Sequence, residues 1–176
     1  MEQVILVDEK DNQIGTEEKI KAHENGGRLH RCFSILIFNS RGKLLLQKRA
    51  FKKYHCGGLW SNTCCGHPRP GEETSRAACR RLKEEFGFEA ELEEIISFIY
   101  RSDFKNGLTE WEFDHAFVGI FDGEPDPDTE EIEDYEWIGT EELKKDVREN
   151  PEKYTPWFRI LLSKIDLEKE SKQVFR

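Results

Sequence analysis

The order of apolar and polar positions divides the chain into short extended runs, one internal helix and a helical end. Residues 3–9 (Q-V-I-L-V-D-E) predict a strand and Asp11-Asn12 a turn. Residues 16–23 are short and polar, a brief helical segment or loop that ends before Gly26-Gly27. Within residues 28–39 the unbroken run F-S-I-L-I-F predicts a buried strand, turned by N-S-R-G into K-L-L-L-Q-K-R as the second strand of a hairpin. Residues 48–58 form a basic, glycine-ended loop. The period then changes: Ala78, Leu82 and Phe86 recur every four residues, which predicts a helix with one buried stripe. Thr74 or Ser75 can cap it and Gly87 can stop it. Residues 92–101 and 109–121 read as longer strands around Asn106-Gly107, and residues 123–133 as an acidic, proline-bearing loop. A short strand at 135–138 precedes a helix opened by Thr140 and reaching about Asn150. Thr155-Pro156 starts another, with proline in its favoured first turn. The polar tail from 166 to 176 reads as a fraying helix end.

Strands around an internal helix, with two helices at the end, predict an α/β fold: an α/β/α sandwich around a mixed sheet. Residues 1–176 make one domain, a length that buries roughly 70% of the unfolded surface. No run approaches the roughly 20 apolar residues of a membrane span, and no secretory h-region follows Met1, so a cytoplasmic protein is expected. The five cysteines are odd in number and form no disulfide framework or zinc-ribbon spacing, which fits a reducing compartment. Cys32 and Cys79 lie in apolar patterns as buried small hydrophobes. A net charge of −9 argues against nucleic acid and would repel an anionic substrate, so any phosphate must be held by local cations.

Chemistry gathers around residues 60–88. A cysteine pair, Cys64-Cys65, and His67 precede a stiff loop made by Pro68, Pro70 and Gly71, and Arg80, Arg81, Glu84 and Glu85 project from the helix away from its apolar stripe. In an extended segment neighbouring side chains point to opposite faces, so only one of the two thiols can reach a given site. Further on, T-E-W-E-F-D-H alternates strictly: Glu110, Glu112 and Asp114 share one face, and Trp111, Phe113 and His115 the other. The carboxylate face is either solvated, behind an aromatic core that would also bury His115, or a pair of metal ligands side by side. Of the five histidines, His55 reads as a surface or satisfied core residue, while His23, His30 and His67 sit where structure alone explains them poorly.

Gly66, Glu72, Arg80, Glu84, Glu85 and Gly87 resemble the Nudix signature with its spacing intact. One position departs: Arg81 stands where Nudix hydrolases carry a metal-binding glutamate. With Asn62-Thr63-Cys64-Cys65-Gly66-His67-Pro68, Glu110-Trp111-Glu112 and Thr155-Pro156-Trp157, the chain is similar from about residue 3 to 165 to the type I isopentenyl-diphosphate isomerase family, in which the Arg80-Arg81 pair is usual. The resemblance implies reversible isomerisation of isopentenyl diphosphate to dimethylallyl diphosphate, an allylic proton shift through a carbocation-like state. It implies Cys65 and Glu112 as the catalytic pair, with Tyr100 assisting and Trp157 turning its ring face to the developing cation. Without the resemblance Trp157 reads as core. One divalent ion is implied at His23, His30, His67, Glu110 and Glu112, with Mn²⁺ ahead of Mg²⁺ or Zn²⁺. A second ion, Mg²⁺, is implied near Glu85. Lys19, Arg49, Lys53 and Arg81 are the implied diphosphate cations, although Lys53 also reads as one charge of a solvated loop.

The expected partners are therefore a small-molecule diphosphate, with no nucleic acid and no membrane, and the chain as a monomer or homodimer. Two other readings compete: a Nudix pyrophosphohydrolase of a nucleoside or prenyl diphosphate, which Arg81 opposes, and a catalytically silent binding domain, which the complete residue set opposes.

Overall fold

The computed structural model describes residues 2–53 and 55–173. The chain opens with a hairpin of β1 (Gln3–Val7) and β2 (Gln13–Glu18), and β2 runs directly into the five-residue helix α1 (Lys19–His23). β2 corrects the expectation of helix or loop from residue 16. None of its residues is buried on this edge strand, so no apolar alternation marks it. β3 (His30–Phe38) and β4 (Lys43–Arg49) follow as the pattern predicts, but their pairing is confined to Phe38 and Leu44 beside the turn. Two short strands, β5 (Trp60–Ser61) and β6 (Cys64–Gly66), lead to α2 (Thr74–Phe86). β7 (Glu93–Asp103), β8 (Thr109–Ile120) and β9 (Ile132–Gly139) complete a nine-stranded sheet. α3 (Thr140–Glu149), α4 (Pro156–Lys164) and α5 (Leu167–Gln173) close the described chain.

β3 is the centre of this sheet. β8 runs parallel to its whole length, from His30 opposite Glu112 to Phe38 opposite Ile120, and β7 continues antiparallel beyond β8. The other edge of β3 is shared in succession by β1 at His30, β6 at Phe33, Ser34 and Ile35, and β4 at Phe38. β4 diverges after the turn because β9 and β5 take its two edges.

Helices cover both faces, which is why the β3 run is apolar without alternation. On one face Ala78, Leu82 and Phe86 of α2 pack on Phe33, Ile35, Ile37 and Cys64. On the other, Leu143, Phe158, Leu161 and Leu167 from the three C-terminal helices pack on Leu36, Phe38, Leu44 and Val118. The α/β/α sandwich around a mixed sheet is present. At the start of α2 the cap is Glu73, with Thr74 and Ser75 already inside the helix, whereas Gly87 ends it with φ 74 as expected. Cys32 is buried, but Cys79 is half-buried on the outer side of α2. The tail is more ordered than its polarity implies: Leu167 is buried and anchors α5, and residues 174–176 lie outside the described residues.

Candidate active site

Strand register assembles the site. Tyr100 on β7 lies opposite Glu112 on β8, which lies opposite His30 on β3, so three side chains stand in one row on one face. Four residues along β3 from His30, Ser34 pairs with Cys65 of β6 on that same face. Glu110, Glu112 and Asp114 are 5%, 5% and 1% exposed, so the carboxylate face is the buried one. Trp111, Phe113 and His115 are only half-buried, which overturns the expectation of an aromatic core face with a buried His115. His115 instead lies between Glu94 (2.8 Å) and Asp11 (3.1 Å) near the surface. Carboxylates tolerate burial only when polar partners replace water, and histidines from three other segments supply them here.

His67 Nε2, His30 Nε2 and His23 Nε2 lie 2.9, 3.2 and 3.9 Å from Glu112 Oε1. The Nε2 atoms of His30 and His67 are 3.2 Å apart. His23 Nδ1 is 2.6 Å from the Lys19 carbonyl and His30 Nδ1 is 2.7 Å from the Arg28 carbonyl. A carbonyl only accepts, so in both rings Nδ1 carries a proton, and in the neutral form of either ring Nε2 turns its lone pair inward. Lone pairs aimed at one carboxylate oxygen repel unless a cation lies among them. The four ligand atoms fall within 4.8 Å of one another, and carbonyls holding the far ring nitrogens are the usual outer support of metal-binding histidines. The donor set fits a divalent ion. Burial opposes ionisation of Glu112, but the three imidazoles outweigh it and hold the carboxyl well below its usual range. Burial likewise opposes a charge on His23, yet Glu112 pulls its pKa up. His67 is brought down to about 4, by burial first.

Glu110 lies beside this cluster, not within it. Its Oε1 is 2.9 Å from His55 Nε2, and the Tyr100 hydroxyl donates to Oε2 at 3.3 Å and also to Glu112. Burial, then the Glu112 charge, raises Glu110 to about 8. The sequence reading of His55 as a surface or satisfied core residue did not place it at the site. It is 8% exposed and faces the pocket, although it comes from an irregular basic loop with no periodicity to mark it. Burial and the Arg49 cation push it down to about 4, which keeps it neutral. Trp157 is both core and pocket wall: it packs in the cluster under α4, donates its indole N–H to Ser61 Oγ at 3.0 Å, and carries the Arg49 guanidinium 5.0 Å from its ring centroid.

The opposite end of the same pocket is basic. Lys19, Arg49, Lys53 and Arg81 all line it, as does Glu85. Lys53 pairs with Glu131, and Lys19 lies 3.2 Å from Glu2, so Lys53 belongs to the pocket and not to a solvated loop. Arg81 bonds Glu85 and, at 2.8 Å, Glu84, and Gln47 donates to Glu85 at 3.1 Å. Arg80 and Glu72 join at 2.8 Å, clamping the loop before α2 to the helix. Of the adjacent thiols, Cys64 is fully buried beneath α2 and Cys65 opens to the pocket, as the extended backbone requires. The Arg49 cation does not activate Cys65 in this state. Burial, reinforced by Glu85, Glu110 and Glu112, pushes the thiol up to about 12.

A NUDIX domain model matches residues 28–158, which span β3 through the start of α4. Isopentenyl-diphosphate Delta-isomerase 2 of Aromatoleum aromaticum is 51% identical over 164 residues, covering 93% of this chain and 86% of that protein. Isopentenyl-diphosphate Delta-isomerase of Serratia proteamaculans is also 51% identical, covering 93% and 91%. The structure of DR0079 from Deinococcus radiodurans superposes with a TM-score of 0.71 at 22% identity, over 85% of this chain and 90% of that one, and shares the fold. The chain belongs to the Nudix domain family and, within it, to the isopentenyl-diphosphate Delta-isomerases.

Proposed function

We propose that this isomerase interconverts isopentenyl and dimethylallyl diphosphate by moving protons through Cys65 and Glu112, with the diphosphate held by Lys19, Arg49, Lys53 and Arg81. One observation carries the reading: a protonated thiol and an ionised carboxylate face the same pocket, whose other end is cationic. The terminal alkene carbon gains one proton and the carbon next to the diphosphate-bearing one loses one, so the formula is unchanged. In each direction one residue of the pair gives its proton and the other takes one up. Tyr100, bonded to both Glu110 and Glu112, passes the proton at the carboxylate side. Trp157 presents an aromatic wall to the cationic state. The closed α4 side keeps water from trapping it.

His23, His30, His67 and Glu112, with Glu110 beside them, are the residues that would hold a divalent ion, Mn²⁺ ahead of Mg²⁺ or Zn²⁺. Glu85 would hold a second, Mg²⁺, against the diphosphate. Such ions supply positive charge that keeps Glu112 ionised and offsets the substrate's charge in a chain of net −9. The five free thiols suit a cytoplasmic setting, and among the described residues no helix is long and apolar enough to cross a membrane.

Incubation with isopentenyl diphosphate and Mg²⁺ in deuterated water tests the reaction. Deuterated dimethylallyl diphosphate is the expected product. Release of phosphate or pyrophosphate without it would favour the hydrolase instead.

Metal binding should also be coupled to protons. In the metal-free site Glu110 is raised to about 8, so it is protonated below that pH and must lose the proton to act as a ligand. Affinity for Mn²⁺ is expected to rise by up to about tenfold per pH unit towards pH 8 and then level off. Calorimetry in buffers of different ionisation enthalpy measures the released proton. Glu110→Gln should flatten the slope between pH 7 and 8, and an unchanged slope would remove Glu110 from the ligand set.

A further inference from the structure

We propose that His55 is a positioning residue for Glu110, linking the diphosphate-binding Arg49 to the metal-side carboxyl group in one chain of close polar contacts. This rests on the reading above of Glu110 as a metal ligand.

The direction of the chain follows from what each group can donate. Arg49 Nη2 is 3.3 Å from His55 Nδ1 and 3.3 Å from the His55 carbonyl. A guanidinium only donates, so Nδ1 accepts and the ring proton of neutral His55 is on Nε2. Nε2, which carries that proton, lies 2.9 Å from Glu110 Oε1. One guanidinium nitrogen thus holds both the ring and the backbone of the loop residue.

The ring has little freedom to turn away. It packs between Phe104, with centroids 5.0 Å apart, and Trp157, at 5.6 Å. Trp157 is itself fixed, because Ser61 Oγ, which accepts its indole N–H, lies 3.0 Å from the hydroxyl of Thr155. The second Glu110 oxygen accepts from Tyr100 at 3.3 Å. The Glu110 carboxyl group is therefore contacted from two sides before any ligand arrives. A carboxylate left to rotate would have to be ordered when the ion binds, which weakens binding.

The test titrates Mn²⁺ into metal-free wild type, His55→Ala, His55→Gln, Glu110→Gln and the His55→Ala/Glu110→Gln double variant. His55→Ala is expected to weaken Mn²⁺ binding by about tenfold or more, within the range for outer partners of metal ligands. His55→Gln, whose amide N–H reaches the Nε2 position, should restore most of it. The double variant should bind no more weakly than Glu110→Gln alone, because His55 acts through that carboxylate. Near-UV circular dichroism checks the fold. If His55→Ala loses its signal, His55→Asn, of similar bulk but too short to reach Glu110, replaces it in the comparison. Wild-type affinity in His55→Ala, or losses that add in the double variant, would overturn the proposal while Glu110→Gln still weakens binding. Wild-type affinity in Glu110→Gln would remove Glu110 as a ligand and the proposal with it.

Discussion

Cys65→Ala is expected to lower turnover on the order of 10³- to 10⁴-fold, the upper range for loss of one positioned acid or base, with metal content unchanged. Cys64→Ala, one residue away, should keep turnover and instead lower stability by about 1 kcal/mol, as small core truncations do. The contrast follows from the backbone of β6. Its extended residues alternate, so Cys64 is inserted beneath α2 among Phe33, Ile35 and Leu82 while Cys65 faces the pocket. Burial and three carboxylates keep the Cys65 thiol protonated up to about pH 12, so its proton is in place when substrate enters. Alanine removes that proton without changing any hydrogen bond that holds the histidines. Steady-state assays with isopentenyl diphosphate, metal analysis and thermal melts of both variants measure this. Turnover lost in Cys64→Ala and kept in Cys65→Ala would reverse the assignment of faces.

Glu112→Gln should have an effect of similar size by a different route. It is expected to reduce bound divalent ion from about one per chain to a small fraction and to abolish turnover with it. Glu112 Oε1 is the atom on which His23, His30 and His67 converge, and it is held ionised by them. An amide in its place is neutral and can turn an N–H donor toward the rings, so the site loses both a charge and an acceptor. His67→Ala should also lower metal content, having removed one ring nitrogen. Asp114→Asn provides the control. Asp114 is on the same buried face of β8 but bonds Ser34 Oγ at 2.8 Å, and burial pushes its pKa up to about 7. An asparagine oxygen can accept the same bond, so this variant should retain its ion. Metal retained in Glu112→Gln would remove the carboxylate from the centre of the site.

Much of this site was readable along the chain because its residues sit in regular elements or a spaced signature. The four-residue repeat of Ala78, Leu82 and Phe86 set the buried face of α2, and thereby left Arg81 and Glu85 to face the pocket. Strict alternation in β8 placed Glu110 and Glu112 on one face. It could not say which face was buried, because alternation is symmetric and only the histidines of other segments make carboxylate burial tolerable. The same gap explains the misplacement of His115. β2 escaped notice because an exposed edge strand needs no apolar side. α5 read as a frayed tail because one buried leucine, Leu167, is enough to dock it.

The sequence by itself determined the α/β/α class and the Nudix loop and helix, through local periodicity and residue types at fixed spacing. The resemblance carried by that signature pointed to the family, and implied the reactive thiol and the residues around it. The tertiary structure decided which strands meet in register, and so placed Tyr100, Glu112 and His30 in one row. It also brought His55 from an irregular loop to Glu110 and Arg49 onto Trp157. Pairing between distant segments is set by packing across the whole sheet, and neither strand of a pair carries its partner's register in its own pattern.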